Sequence, residues 1–253
     1  MTLVQDAGRS PRRWGKIALI VVAVILAIPL FSPIVLRTFL FHPFYIPARS
    51  MMPTLLEGDN LFVSKYAYGY SRYSLPFSPR LFSGRIFGSM PERGDVVVFR
   101  MPKNDSVDYI KRIVGLPGDT IQMQQGLLFI NGVSVQRERL VDFAGDDPCG
   151  TAVDGRTKRW REILLNGVSY ETLDCVDNGF YDNTSVYKVP DGHIFVLGDN
   201  RDNSTDSRVL SAVGYIPLVN IVGRAGLIYF SRTPGADGNP SIVRSERIGM
   251  LVH

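Results

Sequence analysis

The chain has 253 residues, 45% hydrophobic and 21% charged, with a formal net charge of +4 from 28 basic and 24 acidic residues. That length can bury a real core, in one domain with an insertion or in two small ones, and the ordinary charge content excludes a disordered chain. The positive excess is modest, and its N-terminal part runs straight into an apolar segment, which argues against nucleic acid as a partner.

Residues 1–16 form a basic arm carrying Arg9, Arg12, Arg13 and Lys16. Residues 17–36 follow without a single charge, a run of about 20 residues that matches the hydrocarbon thickness of a bilayer. Pro29 and Pro33 predict a kink in its second half. The charges that precede it place the N-terminus in the cytoplasm and the rest of the chain outside. The run is too long for the apolar core of a cleaved signal peptide, and Arg37-Thr38-Phe39-Leu40-Phe41 holds no small-residue cleavage pattern, so an uncleaved anchor is expected.

Beyond the anchor the pattern is β-like. Short apolar runs at Asn60–Val63, Asp95–Phe99, Tyr109–Val114, Thr120–Met123 and Leu127–Ile130 are punctuated by Gly58-Asp59, Arg93-Gly94-Asp95, Pro117-Gly118-Asp119 and Asn131-Gly132. Further strands are expected at His193–Leu197 and Ile221–Phe230. The fold class is mainly β: an antiparallel, barrel-like ectodomain with a smaller β-rich insertion, preceded by one transmembrane helix. Residues 42–132 and 187–232 are assigned to the core and 133–186, polar and turn-rich, to the insertion. Residues 233–253, rich in glycine and proline at their start, are expected to be loosely ordered.

The stretch Tyr70–Met90 carries Tyr73, Leu75, Phe77, Leu81, Phe82, Ile86 and Phe87 among arginines, with no acidic residue. A packed flap is one reading. A loop that dips into the membrane interface is the other, since apolar side chains beside arginines suit that boundary. The two cysteines, Cys149 and Cys175, are compatible with a disulfide in an outer compartment or with two buried thiols.

The chemistry is reached by elimination. There are three histidines, His42, His193 and His253, and none has the setting of a catalytic triad. No Cys/His cluster has metal-ligand spacing and no glycine-rich phosphate loop occurs, so neither metal nor cofactor is expected. A serine then needs an uncharged lysine as its base. Of the six lysines, Lys16 is cytoplasmic, Lys103 and Lys158 stand in polar turns, Lys188 is at the edge of the insertion and Lys65 is in a polar-aromatic stretch. Lys111 alone lies within an apolar strand, where burial would drive its pKa toward neutrality; a snorkelling edge lysine is the competing reading. Ser50 stands between Pro47 and Pro53 in Ile46-Pro47-Ala48-Arg49-Ser50-Met51-Met52-Pro53-Thr54-Leu55, which keeps it out of a helix or central strand and in an exposed turn. A third segment, Gly198-Asp199-Asn200-Arg201-Asp202-Asn203-Ser204-Thr205-Asp206-Ser207-Arg208, reads better as a charge-paired brace than as a calcium loop, because its arginines would repel a cation.

These segments, with Lys111-Arg112-Ile113-Val114-Gly115-Leu116-Pro117-Gly118-Asp119, resemble bacterial type I signal peptidase (leader peptidase). The resemblance covers most of the ectodomain in the right order. It implies a membrane-anchored serine endopeptidase that removes N-terminal signal peptides from exported preproteins. Ser50 would be the nucleophile, Lys111 its general base, Ser204 a contact of the lysine, and Asp206 with Arg208 a supporting ion pair. The Ser50 backbone, Ala48, Met51, Pro53 and Tyr109 would border the substrate and the oxyanion. The implied partners are signal peptides and the lipid bilayer, and the implied location is the bacterial inner membrane, single-pass, with the catalytic domain on the periplasmic face. One position departs from the pattern. Many relatives carry a serine two residues before the nucleophile, whereas this chain has Ala48, so a backbone N–H, a water or Arg49 is expected to compensate. A related Ser-Lys processing protease, such as one that matures conjugative pilins, is the nearest alternative; a non-catalytic membrane-anchored β module is the alternative outside enzymes.

Overall fold

The computed structural model describes residues 11–144, 148–150, 156–235 and 241–253. The first element is α1, Pro11–Val35, which covers the apolar run and whose described apolar side chains, such as Leu19 and Leu26, are exposed. Among the described residues no helix is long and apolar enough to cross a membrane. The basic arm up to residue 10, and the side chains at positions 30, 33 and 34 of the expected span, lie outside the described residues. A π-helical turn, Leu36–Leu40, leads into the β domain.

The strands in chain order are β1 (Phe41–Tyr45), β2 (Asp59–Ser64), β3 (Val96–Met101), β4 (Asn104–Gly115), β5 (Thr120–Gln124), β6 (Leu127–Ile130), β7 (Val133–Ser134), β8 (Gln136–Arg139), β9 (Phe143–Ala144), β10 (Arg156–Ile163), β11 (Ser169–Asp174), β12 (Tyr187–Lys188), β13 (His193–Leu197), β14 (Ile216–Pro217) and β15 (Ile221–Ser231). Seven of them form one sheet in the order β1-β2-β15-β3-β4-β13-β14, and every pairing in it is antiparallel. Its central strand β3 is apolar without alternation because both faces are covered. Val96 and Val98 enter one core with Ile46, Leu61 and Ile228, while Val97 and Phe99 enter another with Ile113, Ile194 and Val196.

The other strands lie outside this sheet. One four-stranded sheet runs β12-β5-β6-β7 and another joins β11, β10 and β8, with β9 on β10. Thr120–Ile130, expected in the core sheet, belongs to the first of these and shares a third apolar cluster with Leu164 and Tyr170. Every described strand between β4 and β13 therefore lies outside the seven-stranded sheet, packed against it through Val114, Phe195 and Leu197, which share that cluster. The Asn131-Gly132 turn is of the hairpin kind: φ is +53° and +77°, as a two-residue link between β6 and β7 requires.

The C-terminal segment is not loose. Arg247 forks onto the fully buried Asp59, with Nη2 2.6 Å from Oδ2 and Nε 3.0 Å from Oδ1, and also donates to the Thr54 carbonyl. Leu251 bridges Leu227, and Val252 is buried. Composition suggested loose order, yet one buried ion pair and an isolated bridge from Leu251 to Leu227 tie residues 241–253 to β2 and β15. The disulfide question is settled by a Cys149–Cys175 bond.

The flap is half packed. Tyr73 is buried, Tyr70 bridges Ile86, and the Arg85 guanidinium donates to the carbonyls of Tyr68, Gly69, Leu218 and Ile221. Phe77, Leu81 and Phe87 project into solvent. The root of the flap meets the end of the N-terminal segment: Tyr70 donates to the Phe39 carbonyl, and the two rings meet edge to face.

Candidate active site

Two segments meet at one open strand edge. Residues 104–111 of β4 pair with β3 on one side only, because β13 pairs only with residues 112–115. A cavity of about 440 Å³ lies along that edge, lined by Phe44, Tyr45, Pro47, Ala48 and Ser50 opposite Val107–Lys111, with Asn203 and Thr205 at one end. The lining is mostly apolar.

The turn that carries Ser50 is pinned from beneath. Met51 and Leu55 are fully buried in the core, and backbone bonds Met52 N–H to Arg49 O and Leu55 N–H to Met51 O close the turn around them. Ser50 is left at the surface of the cavity. Lys111 reaches it from β4: Nζ lies 2.6 Å from Ser50 Oγ and 3.1 Å from the Ile110 carbonyl. The lysine is only 4% exposed. Burial drives its pKa from 10.5 down to about 8, the Arg208 guanidinium adding to the fall, while Asp206 and Asp199 oppose it. The Tyr109 ring stands 5.5 Å from the amine.

Its neighbour Arg112 faces the other way, as strand alternation demands. It is fully buried and forks onto Asp199, with Nε to Oδ1 at 2.8 Å and Nη2 to Oδ2 at 2.7 Å, and lies over the Tyr170 ring. Asp199 also accepts from Thr54 of the turn that carries Ser50. The loop 198–208 is braced a second time. Arg208 donates to both oxygens of Asp206 at 2.9 Å. Burial pushes the Asp206 carboxyl up, but Arg208 and the Gly198 N–H outweigh it and hold it below its ordinary value. A third buried pair, Arg201 with Glu162 and Tyr170, ties this loop to β10 and β11.

The expected residues do not all converge. Ser204 is buried beside the Asp206 carboxylate, which it helps to hold below its ordinary value, and the hydrogen bonds of the Lys111 amine go to Ser50 and the Ile110 carbonyl. Met51 and Pro53 do not line the cavity; Met51 points into the core because the turn needs an apolar anchor there. The Arg49 guanidinium stands 3.0 Å from Glu57. Ala48 and Tyr109 do line the cavity. Residues that sequence reasoning passed over also belong here. Asn200 donates its backbone N–H to Ser50 O and its side-chain amide to Arg49 O. Asp108 borders the cavity 3.0 Å from the Arg100 guanidinium, its pKa raised by burial. The only signal for either was position, beside Asp199 and on the strand of Lys111.

A hydroxyl in contact with a buried amine whose pKa is lowered to about 8, beside a mostly apolar trough, is an arrangement in which a lysine can activate a serine. Comparison with known proteins identifies the family. The family described as "Signal peptidase, peptidase S26" matches residues 12–230. Signal peptidase I of Rickettsia typhi is 43% identical over 206 residues, 78% of this chain and 75% of that one. Signal peptidase I of Rickettsia conorii is 39% identical over 230 residues, 88% of this chain and 80% of that one. A crystal structure of a signal peptidase I from Enterococcus faecalis is 27% identical and covers 54% of this chain and 97% of that one, with a TM-score of 0.30, too low to carry an argument. The chain belongs to the bacterial type I signal peptidases of peptidase family S26.

Proposed function

We propose that this chain is a membrane-anchored signal peptidase that removes N-terminal signal peptides from exported preproteins by means of a Ser50–Lys111 dyad. The observation that carries the reading is the 2.6 Å contact between Ser50 Oγ and a lysine held near pKa 8 by burial. The neutral amine takes the serine proton as Oγ attacks the scissile carbonyl carbon. The lysinium then gives that proton to the departing amine, leaving an ester on Ser50. The same amine deprotonates the water that hydrolyses the ester.

The open edge of β4 suits a substrate bound as an added strand, its backbone paired with residues 107–110 and its side chains directed into the trough. A shallow apolar trough selects small side chains by only about 1–3 kcal/mol per methylene, so placement at the membrane supplies the rest of the specificity. The uncharged run 17–36 provides that placement as a single-pass anchor with the catalytic domain on the outer face of the bacterial membrane. The exposed Phe77, Leu81 and Phe87, in a flap rooted beside Phe39 and without an acidic residue of its own, add a second contact with the lipid interface.

The oxyanion falls to the Ser50 N–H, which no backbone bond among the described residues occupies. Ala48 contributes no hydroxyl. The test of the whole reading is cleavage of a membrane-bound preprotein by purified full-length enzyme and its Lys111→Ala variant. Loss of cleavage in the variant is expected; equal cleavage by the two proteins defeats the dyad.

A further inference from the structure

Resting on that reading, we infer that Asn200 is a positioning residue that aims the oxyanion-binding N–H of Ser50, and that the Cys149–Cys175 disulfide is what holds Asn200 in place. Asn200 is fully buried. Its backbone N–H donates to Ser50 O at 3.1 Å. Its side-chain amide carries two hydrogens, and both are used: one on Arg49 O at 3.2 Å, the other on Pro148 O at 2.8 Å. Its Oδ1 lies 3.4 Å from the sulfur of Cys175.

The bond to Arg49 O is the informative one. That carbonyl belongs to the peptide unit whose other end is the Ser50 N–H. A peptide unit is planar and, in the trans form, its C=O and N–H point in opposite directions. Holding the Arg49 carbonyl on the Asn200 side therefore turns the Ser50 N–H to the opposite side. The Met52 N–H shares the same carbonyl, so the unit is gripped by two donors. With Ala48 in place of a hydroxyl, the rate depends on this N–H more heavily than it would with two side-chain-assisted donors.

The far end of the grip is covalent. Pro148 precedes Cys149, and the disulfide joins Cys149 to Cys175 at the end of β11. The Pro148 carbonyl so fixed receives Asn203 Nδ2 as well as Asn200, both at 2.8 Å. Cys175 is itself set against the same loop, its N–H donating to Asp202 Oδ2. The sequence of contacts is disulfide, Pro148 carbonyl, Asn200 amide, Arg49–Ser50 peptide.

The experiment compares full-length enzyme in detergent with Asn200→Ala and with the double variant Cys149→Ser/Cys175→Ser, measuring kcat and KM on a signal-peptide substrate. Both changes are expected to lower kcat tenfold or more, on the order of a weakened oxyanion donor, with KM within about twofold. Combining them lowers kcat little further, because they act on one linkage. Adding Ala48→Ser to Asn200→Ala restores most of the loss and changes the parent less, which a merely structural role would not produce. A parental kcat in either variant, losses that multiply, or no rescue overturns the inference. Should the variants fail to fold, the folded parent is treated with dithiothreitol, whose two thiols reduce the bond to two cysteine thiols and leave as a cyclic disulfide. Full reduction, verified by thiol titration, with unchanged kcat overturns it equally. Parent enzyme that does not cleave the substrate at all defeats the proposed function instead.

Discussion

Gly198→Ala tests how closely the brace loop and the nucleophile are fitted. A Cβ at this position would stand 2.6 Å from the Ser50 carbonyl oxygen and 2.2 Å from Ser204 Oγ. The Ser204 hydroxyl can rotate away, but its Cβ, which would stand 2.5 Å off, moves only with the loop backbone. The Ser50 carbonyl is held as well, since it accepts from the Asn200 N–H and belongs to a turn anchored by two buried side chains. Ordinary contact begins at 3.4 Å, so Ser50 and residue 198 must part by about 3.4 − 2.6 = 0.8 Å. A displacement of about 1 Å from reactive geometry costs on the order of 10²-fold in rate, whereas overpacking costs about 1–3 kcal/mol of stability. The expected result is a kcat lowered about 100-fold with an unfolding midpoint lower by only several degrees. Steady-state cleavage of a fluorogenic signal-peptide substrate and differential scanning fluorimetry measure the two. A variant that keeps kcat within about threefold of the parent refutes the argument that this glycine is required by the close approach of Ser50.

Three further outcomes follow from the same geometry. kcat/KM should rise with pH through a midpoint near 8 as Lys111 loses its proton, and a profile that falls from pH 7 to 9 contradicts the dyad. The same shift makes the folded state bind fewer protons than the unfolded one between about pH 8 and 10.5. Stability owed to Lys111 is therefore complete above the upper value and falls by about 3 kcal/mol as pH drops to the lower one, measurable by urea titration in an otherwise identical Lys111→Met comparison. Arg247→Ala leaves the buried Asp59 carboxylate without its cation, at a cost of about 3–5 kcal/mol and a drop in unfolding midpoint on the order of 10 °C; an unchanged midpoint would show the C-terminal segment to be dispensable. Phe77→Ser with Phe87→Ser should weaken binding of a protein lacking residues 1–36 to phospholipid vesicles in sedimentation, while equal sedimentation removes the flap from the lipid contact.

The pattern of apolar runs and turn dipeptides made most strands legible, because alternation and Gly/Asn turns are local signals. Pairing is not local. Thr120–Ile130 reads like any core strand, and only its partners, Tyr187–Lys188 and Val133–Ser134, place it outside the seven-stranded sheet. The C-terminal segment misled for a related reason: its composition is loop-like, and the single buried arginine that ties it down pairs with an aspartate 188 residues earlier. Lys111 was legible because a cation amid apolar residues is a conflict that asks for a purpose. Asn200 was not, since an asparagine in a polar loop raises no conflict, and its role rests on which carbonyl it faces. Met51 was misplaced by proximity: next to the nucleophile in sequence, it is turned away from it by the requirement that the turn be anchored.

The opposite facing of Lys111 and Arg112 has a consequence for how the chain assembles. A slip of β4 by one residue would put a guanidinium, protonated at any accessible pH, where the Lys111 amine meets Ser50, and would thrust the amine into the place where Asp199 grips the guanidinium. Both sites would fail at once. The Arg112–Asp199 pair and the Lys111–Ser50 contact are thus satisfied by one and the same strand alignment, so a slipped strand loses both together.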